Sequence, residues 1–260
     1  MAKNSFDMVV IGAGPGGYVA AIRGAQLGLK VAIVEREHLG GICLNWGCIP
    51  TKALIKSAQV FEYLQHAEDY GLKVKEYDKD FDAVVNRSRS VADTMSKGVQ
   101  FLLKKNKIDV IMGYGSLLPG KKIHVKAEDG SEQELAAQNI IIATGARSRE
   151  LPSLPQDGEK VIGYRKAMTL EKQPEKLIVV GSGAIGVEFA YFYNAMGTEV
   201  TLIEFQPRIV PVEDEEISKQ MERSFKKSGI KVMTSAEVTS VDTSGKGVKA
   251  TVKTKKGAEV

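Results

Sequence analysis

Cysteine is scarce, with two residues in 260. Two cannot build a disulfide framework, so a small secreted scaffold held by several bridges is excluded. No run of eighteen apolar residues occurs, and no membrane-spanning helix is expected. One-sided charge is missing as well. Lys and Arg number 36 against 32 Asp and Glu, and the two signs are interleaved. A net charge of +4 spread this way leaves no basic footprint for nucleic acid. Of the histidines (His38, His66 and His124), only His38 lies near a cysteine, and alone it leaves a metal site short of ligands. No metal is therefore expected. Disorder as the main state is excluded by 43% hydrophobic and 26% charged residues, ordinary values for a globular chain. The opening MAKNSFDMVVIGAG has a short apolar run broken by Asp7 and followed by glycines. It reads as a strand and not as a signal peptide. A cytoplasmic location is expected, where a cysteine pair is more often catalytic than structural.

Glycine, by contrast, is abundant, at 26 residues without a collagen-like period. Residues 6–11 (FDMVVI) read as a buried parallel strand meeting Gly12-Ala13-Gly14-Pro15-Gly16-Gly17. Gly12, Gly14 and Gly17 stand at G-x-G-x-x-G spacing. A helix is predicted from about Tyr18 to Leu27, then a strand over 31–34 with Glu35 at its end, which makes one βαβ unit. One such motif is weak, since at this glycine frequency chance supplies about a quarter of a match per chain. The second copy decides. Residues 177–204 repeat the layout with Gly181, Ser182, Gly183, Ala184, Ile185 and Gly186, and the acid follows the first glycine by 23 residues in both copies, at Glu35 and Glu204. Two dinucleotide sites are expected. In each, glycines allow a tight turn, close approach of a pyrophosphate and close packing of the helix. The helix N-terminus meets the phosphates, and the acid accepts ribose hydroxyls. Glu204 would repel a 2′-phosphate, which favours NAD over NADP at the second site; Arg208 is the opposing feature.

Between the two copies lies Gly40-Gly41-Ile42-Cys43-Leu44-Asn45-Trp46-Gly47-Cys48, ahead of a helical pattern over 53–65. Five residues separate the cysteines, and one helical turn can bring such residues within disulfide reach. A helix N-terminus favours the reactive thiolate. Redox function is preferred over packing for the chain's only cysteines.

The segment GGICLNWGCIPTKAL, set between GAGPGG and GSGAIG units, resembles the flavin-dependent pyridine nucleotide–disulfide oxidoreductases. The resemblance covers essentially the whole chain and lies nearest to the members that oxidise dihydrolipoyl groups. It implies FAD at the first site, against Gly12 to Gly17, Glu35, Arg36, Gly40, Gly41, Cys43, Lys52, Gly115, Thr144 and Gly145. It implies NAD at the second, against Gly181 to Gly186, Glu204 and Val238. Cys43 would exchange with the substrate and Cys48 would face the flavin. Lys52 would lie near flavin N5, with Glu188 as its carboxylate partner. Implied partners are lipoyl domains of 2-oxoacid dehydrogenase or glycine cleavage complexes and, in the full-length protein, a second copy in a homodimer. A glutathione-reductase-like enzyme using NADPH, and a nucleotide-binding module without turnover, are the alternatives.

The expected fold is α/β with two Rossmann-type units. An FAD-binding domain with the redox disulfide would span 1–145, a linker 146–158 and an NAD-binding domain 159–260. Two long helices are expected over 53–106, split near 69–80. Short strands are expected at 108–113, 122–126, 133–136 and 139–142, then a helix over 213–228. Further strands are expected at 230–233, 237–243 and 248–254, with another starting at 257. The family's Gly-Asp and His-Pro segments do not occur. The catalytic histidine and the C-terminal dimerisation domain are therefore expected to be absent, and the chain alone is expected not to turn over dihydrolipoamide.

Overall fold

The computed structural model describes residues 4–254 and 257–259. Contacts divide the chain into two compact units: Met1–Pro50 with Arg89–Arg147, and Thr51–Ser88 with Ser148–Val260.

The first unit is built on a six-stranded sheet. Its elements are β1 (Ser5–Ile11), α1 (Pro15–Gln26), β2 (Val31–Glu35) and α2 (Gly41–Trp46), then the second half of a long helix and four more strands. Between α2 and that helix runs α3 (Cys48–Gln65); the long helix is α4 (Phe81–Lys105). The strands are β3 (Asp109–Met112), β4 (Tyr114–Leu118), β5 (Lys122–Lys126) and β6 (Glu132–Ile142), in the order β3-β2-β1-β6-β5-β4. β1 runs parallel to both β2 and β6, so the chain leaves β1 to one side and returns on the other. Ligands of open α/β sheets bind at such a switch point, beyond the strand C-termini. Val9, Val10, Ala32 and Ile33 are fully buried, as central strands covered on both faces require. Met8, Val10 and Ile33 pack with Ala21 of α1 and Leu103 of α4, while Val9, Ala32 and Val34 pack with Ile123, Val125 and Leu135.

Several elements of this unit depart from the sequence expectation, among them the short helix α2, which was not expected. Helix α1 starts at Pro15, where proline's missing N–H costs nothing. Strand β4 was not expected, because Gly113 and Gly115 break its apolar pattern. The segments 133–136 and 139–142 are one strand. Its first half pairs antiparallel with β5 and its second half parallel with β1. Polar Gln138 and Asn139 hide that continuity in the sequence.

The second unit repeats the βαβ plan with α5 (Tyr164–Ala167), β7 (Lys176–Val180), α6 (Ala184–Ala195), β8 (Glu199–Ile203), α7 (Glu215–Lys227) and β9 (Lys231–Met233). The parallel sheet runs β7-β8-β9, and a separate antiparallel sheet joins β10 (Glu237–Asp242), β11 (Lys249–Thr254) and β12 (Gly257–Glu259). Helix α6 is apolar nearly all round and buries Phe189, Phe192 and Tyr193. Leu54 and Ala58 of α3 belong to the same core. Helix α7 is its amphipathic counterpart. Asp214 caps it by accepting from the Glu216 and Ile217 amides, and Lys226 and Lys227 sit in its last turn. Among the described residues, no helix is long and apolar enough to cross a membrane.

Candidate active site

The first glycine loop begins where β1 ends. Gly12 turns the chain at φ +101° and donates its N–H to Val34 O at 2.7 Å. A Cβ at Gly12 would overlap the Ala143 carbonyl oxygen, and one at Gly17 would overlap the Gly12 carbonyl oxygen. Gly14 is the N-cap of α1, with Pro15 behind it and no side chain capping the helix. Gly16 faces open space, with no atom within 4 Å of a Cβ position. Buried Glu35 accepts from the Ala13 amide on Oε2 and the Glu37 amide on Oε1, each at 2.8 Å. Gly40 N donates to Ala13 O at 2.9 Å, and a Cβ on Gly41 would lie 2.6 Å from the Gly14 Cα. The Gly40-Gly41 pair therefore rests directly on the loop.

Arg36, Gly115, Thr144 and Gly145, also expected at this site, gather at the same sheet end, whereas Lys52 falls in the second unit. Arg36 follows Glu35 and is exposed. Gly115 lies on β4, where a Cβ would stand 3.3 Å from the side chains of Ile11 and Val34. Exposed Thr144 and Gly145 follow β6, and the Ala143 amide anchors that end to Ile11 O at 2.8 Å. An uncapped helix start, an open glycine in its first turn and a buried carboxylate with unfilled acceptor positions together fit the pyrophosphate and ribose of a dinucleotide.

The second loop repeats this plan. Gly181 has φ +97° and donates to Ile203 O at 2.8 Å; a Cβ on Gly186 would overlap the Gly181 carbonyl oxygen. Gly183 caps α6 without a side-chain bond and, with Ala184 and Ile185, is exposed. Buried Glu204 accepts from Ser182 N at 2.8 Å, Ser182 Oγ at 2.7 Å and Gln206 N at 2.7 Å. Arg208 turns away from the acid's bonding set, donating from Nη2 to Pro211 O at 3.0 Å. Val238 is buried on β10 opposite Val252, beside a register shift between Val238 and Ser240.

Cys43 and Cys48 form a disulfide with a Cα–Cα distance of 4.7 Å. They do not share one helical turn. Cys43 lies in α2 and Cys48 opens α3, five residues earlier than the helical pattern suggests, with Gly47 breaking the helix between them. Cys43 is half-buried and Cys48 exposed. Two residues that the sequence did not single out hold this segment. Asn45 is buried and donates from Nδ2 to Leu39 O at 2.9 Å and Gly41 O at 2.8 Å. Arg89, from α4, donates to Asn45 O and stacks 4.4 Å from the Trp46 ring centre. A polar residue inside an apolar helix start was a signal for Asn45; Arg89 gave none, being remote in sequence.

Within the second unit, Lys52 and Glu188 meet, Nζ to Oε1 at 2.6 Å. Lys52 is exposed, one turn beyond Cys48 along α3; Glu188 is half-buried near the start of α6. One turn on, the Tyr191 hydroxyl donates to the Glu62 carboxylate. Burial, and then that carboxylate, push the Tyr191 hydroxyl well above the ordinary tyrosine range.

Comparison with known proteins places this geometry. The family described as pyridine nucleotide-disulphide oxidoreductase matches residues 6–260. A dihydrolipoyl dehydrogenase of Zymomonas mobilis is 50% identical over 247 residues, covering 95% of this chain and 53% of that protein. A dihydrolipoyl dehydrogenase of Bacillus subtilis is 46% identical, covering 90% and 51%. The crystal structure of LpdA from Mycobacterium tuberculosis superimposes with a TM-score of 0.87 at 30% identity, over 97% of this chain and 56% of that one. The flavoprotein disulfide reductase RclA from Escherichia coli gives 0.82 at 26% identity, over 98% and 54%. The chain thus spans about half the length of the curated relatives it matches. With two glycine loops, a disulfide seated on the first of them and a family match along nearly all of its length, the chain belongs to the pyridine nucleotide–disulphide oxidoreductases.

Proposed function

We propose that this chain is the nucleotide- and disulfide-bearing part of a dihydrolipoyl dehydrogenase. The enzyme oxidises protein-bound dihydrolipoamide, with FAD as resident cofactor and NAD⁺ as acceptor. The observation that carries this reading is the Cys43–Cys48 disulfide, in a segment joined to the first glycine loop through Gly40 and Ala13. Residues 1–145 serve as the FAD-binding part, although 51–88 of them group with the second compact unit, and 159–260 serve as the NAD-binding part. The partners are lipoyl domains and, in the full-length enzyme, a second copy in a homodimer, in the cytoplasm.

The protein's own part in the reaction is thiol–disulfide exchange. One dihydrolipoyl thiolate attacks Cys43 Sγ, the Cys43–Cys48 bond breaks, and Cys48 leaves as thiolate. The second lipoyl thiolate then closes the lipoyl disulfide and frees Cys43. The substrate loses two electrons and two protons, and the protein disulfide gains the electrons. FAD, which the first glycine loop and Glu35 would hold, would supply the two-electron transfer that links the dithiol to NAD⁺. The start of α3 favours Cys48 as the leaving thiolate, because its positive end lies at that sulfur's own residue. Lys52, the expected neighbour of flavin N5, is held by Glu188. Glu204 favours NAD, since it offers an acceptor where a 2′-phosphate needs a cation.

Anaerobic addition of dihydrolipoamide to the FAD-loaded protein tests the reading. Two new thiols per chain should appear at Cys43 and Cys48, with a change in the flavin spectrum. Cys43→Ser or Cys48→Ser should abolish both. Thiol release without any flavin response, or flavin reduction that survives either substitution, would overturn it.

A further inference from the structure

Glu35 is the last residue of β2 and Glu204 follows the last residue of β8; they are similarly buried, yet they are bonded differently. Glu35 takes one backbone N–H on each oxygen, Ala13 on Oε2 and Glu37 on Oε1. Glu204 takes the Gln206 N–H on Oε1, but both the N–H and the hydroxyl of Ser182 on Oε2. An ionised carboxylate has about four acceptor positions, two on each oxygen. Glu35 therefore keeps one open position on each oxygen, and Glu204 keeps a single one, on Oε1. Two vicinal ribose hydroxyls can be read together only when both oxygens are free to accept.

We infer that the Ser182 hydroxyl sets the affinity and hydroxyl selectivity of the second nucleotide site. By filling Oε2 it limits Glu204 to one ribose hydroxyl, where Glu35 reads two. The inference rests on residues 177–204 being an NAD site, as proposed above. It gives a reason for the difference in loop residue, Ala13 in one copy and Ser182 in the other. A resident cofactor gains from two bonds to its ribose. A co-substrate that must leave on every turnover is better held by one, because product release commonly limits the rate. Ala13 is fully buried in the first loop, so an alanine is accommodated by this loop geometry.

The test is calorimetric titration of NAD⁺ into the whole chain and into Ser182→Ala. It is repeated with NAD⁺ analogues lacking the adenosine 2′- or 3′-hydroxyl. Ser182→Ala frees an acceptor and should bind NAD⁺ about tenfold tighter or more, the worth of one added hydrogen bond to a charged group. In the unsubstituted protein only one of the two analogues should lose affinity; in Ser182→Ala both should. Equal or weaker NAD⁺ binding by folded Ser182→Ala overturns the inference, because the hydroxyl then merely orients Glu204. So does a loss with both analogues in the unsubstituted protein, a comparison that decides alone if Ser182→Ala does not fold. Failure of the unsubstituted protein to bind NAD⁺ at all defeats instead the reading of this loop as an NAD site.

Discussion

The two glycine loops share a plan and differ in how much protein covers them. In both, the third glycine lies against the carbonyl of the first, so a side chain there would overlap backbone. In both, the acid at the end of the next strand ties itself to the loop and to the residue two places on. The carbonyl of the loop's second residue is also bonded equivalently, by Gly40 N in the first copy and Val210 N in the second. These features belong to the motif itself. Cover does not. The first loop is enclosed by Ala143 on one side and Gly41 on the other, whereas Cβ positions at Gly181 and Gly183 meet nothing within 4 Å. An enclosed loop suits a group that stays, and an open one suits a ligand that comes and goes.

The shared feature can be broken first, with the largest expected effect. Gly17→Ala and Gly186→Ala each force backbone apart inside a strand–turn–helix unit. Each should cost about 3 kcal/mol or more of stability, above the usual range for overpacking because backbone must move. Denaturant midpoints of the two variants measure this. Because the collision is intrinsic to the motif, the two losses should be similar; a mild effect in one copy alone would show that the two loops do not share this packing.

The difference in cover is probed next by Gly12→Ala and Gly181→Ala. Both residues have positive φ, so any side chain is strained by about 1–3 kcal/mol. Only Gly12 also meets the Ala143 carbonyl. Gly12→Ala should therefore be the more destabilising by about 1 kcal/mol or more, since backbone has to yield as well. Equal costs would mean that strand β6 gives way easily and that the cover on the first loop is loose.

Much of this was legible in the residues. Gly-x-Gly-x-x-Gly spacing, repeated with its acid, located both loops and both βαβ units. The joining of Cys43 to Cys48 was within reach of their spacing, but the helix break at Gly47 was not, because an isolated glycine is tolerated inside a helical pattern at a cost of only about 1 kcal/mol. The bonds of Glu35 and Glu204 to their own loops were missed, since a carboxylate at a strand end reads as an acceptor for ligand and not as a brace for backbone. Arg89 on Trp46 and Tyr191 on Glu62 join segments 43 and 129 residues apart, and long-range pairs of this kind leave no periodic trace. Strand β6 was split in two because its pairing changes from antiparallel to parallel within one run. A polar residue that suits the change looks, in sequence, like a turn.

The smallest expected effect concerns Gly16, the one glycine of the first loop that contacts nothing. Its counterpart is Ile185, more than half exposed, so the second loop already carries a large side chain at this place. Gly16 lies in the first turn of α1, where alanine is the better helix former. Gly16→Ala should therefore raise the stability of the ligand-free protein by about 0.5 kcal/mol, somewhat below the full helix-interior gain because the position is near the end. FAD should respond in the opposite sense. A methyl group in the open space before the helix start narrows the approach of a pyrophosphate to the backbone N–H groups, so retention of FAD should fall severalfold. Thermal melts without cofactor and fluorescence titration with FAD read the two effects separately. A variant more stable and equally tight for FAD would place the pyrophosphate away from Gly16. The enclosed loop would then hold its nucleotide through Glu35 and the Gly40-Gly41 side, and not through the helix start.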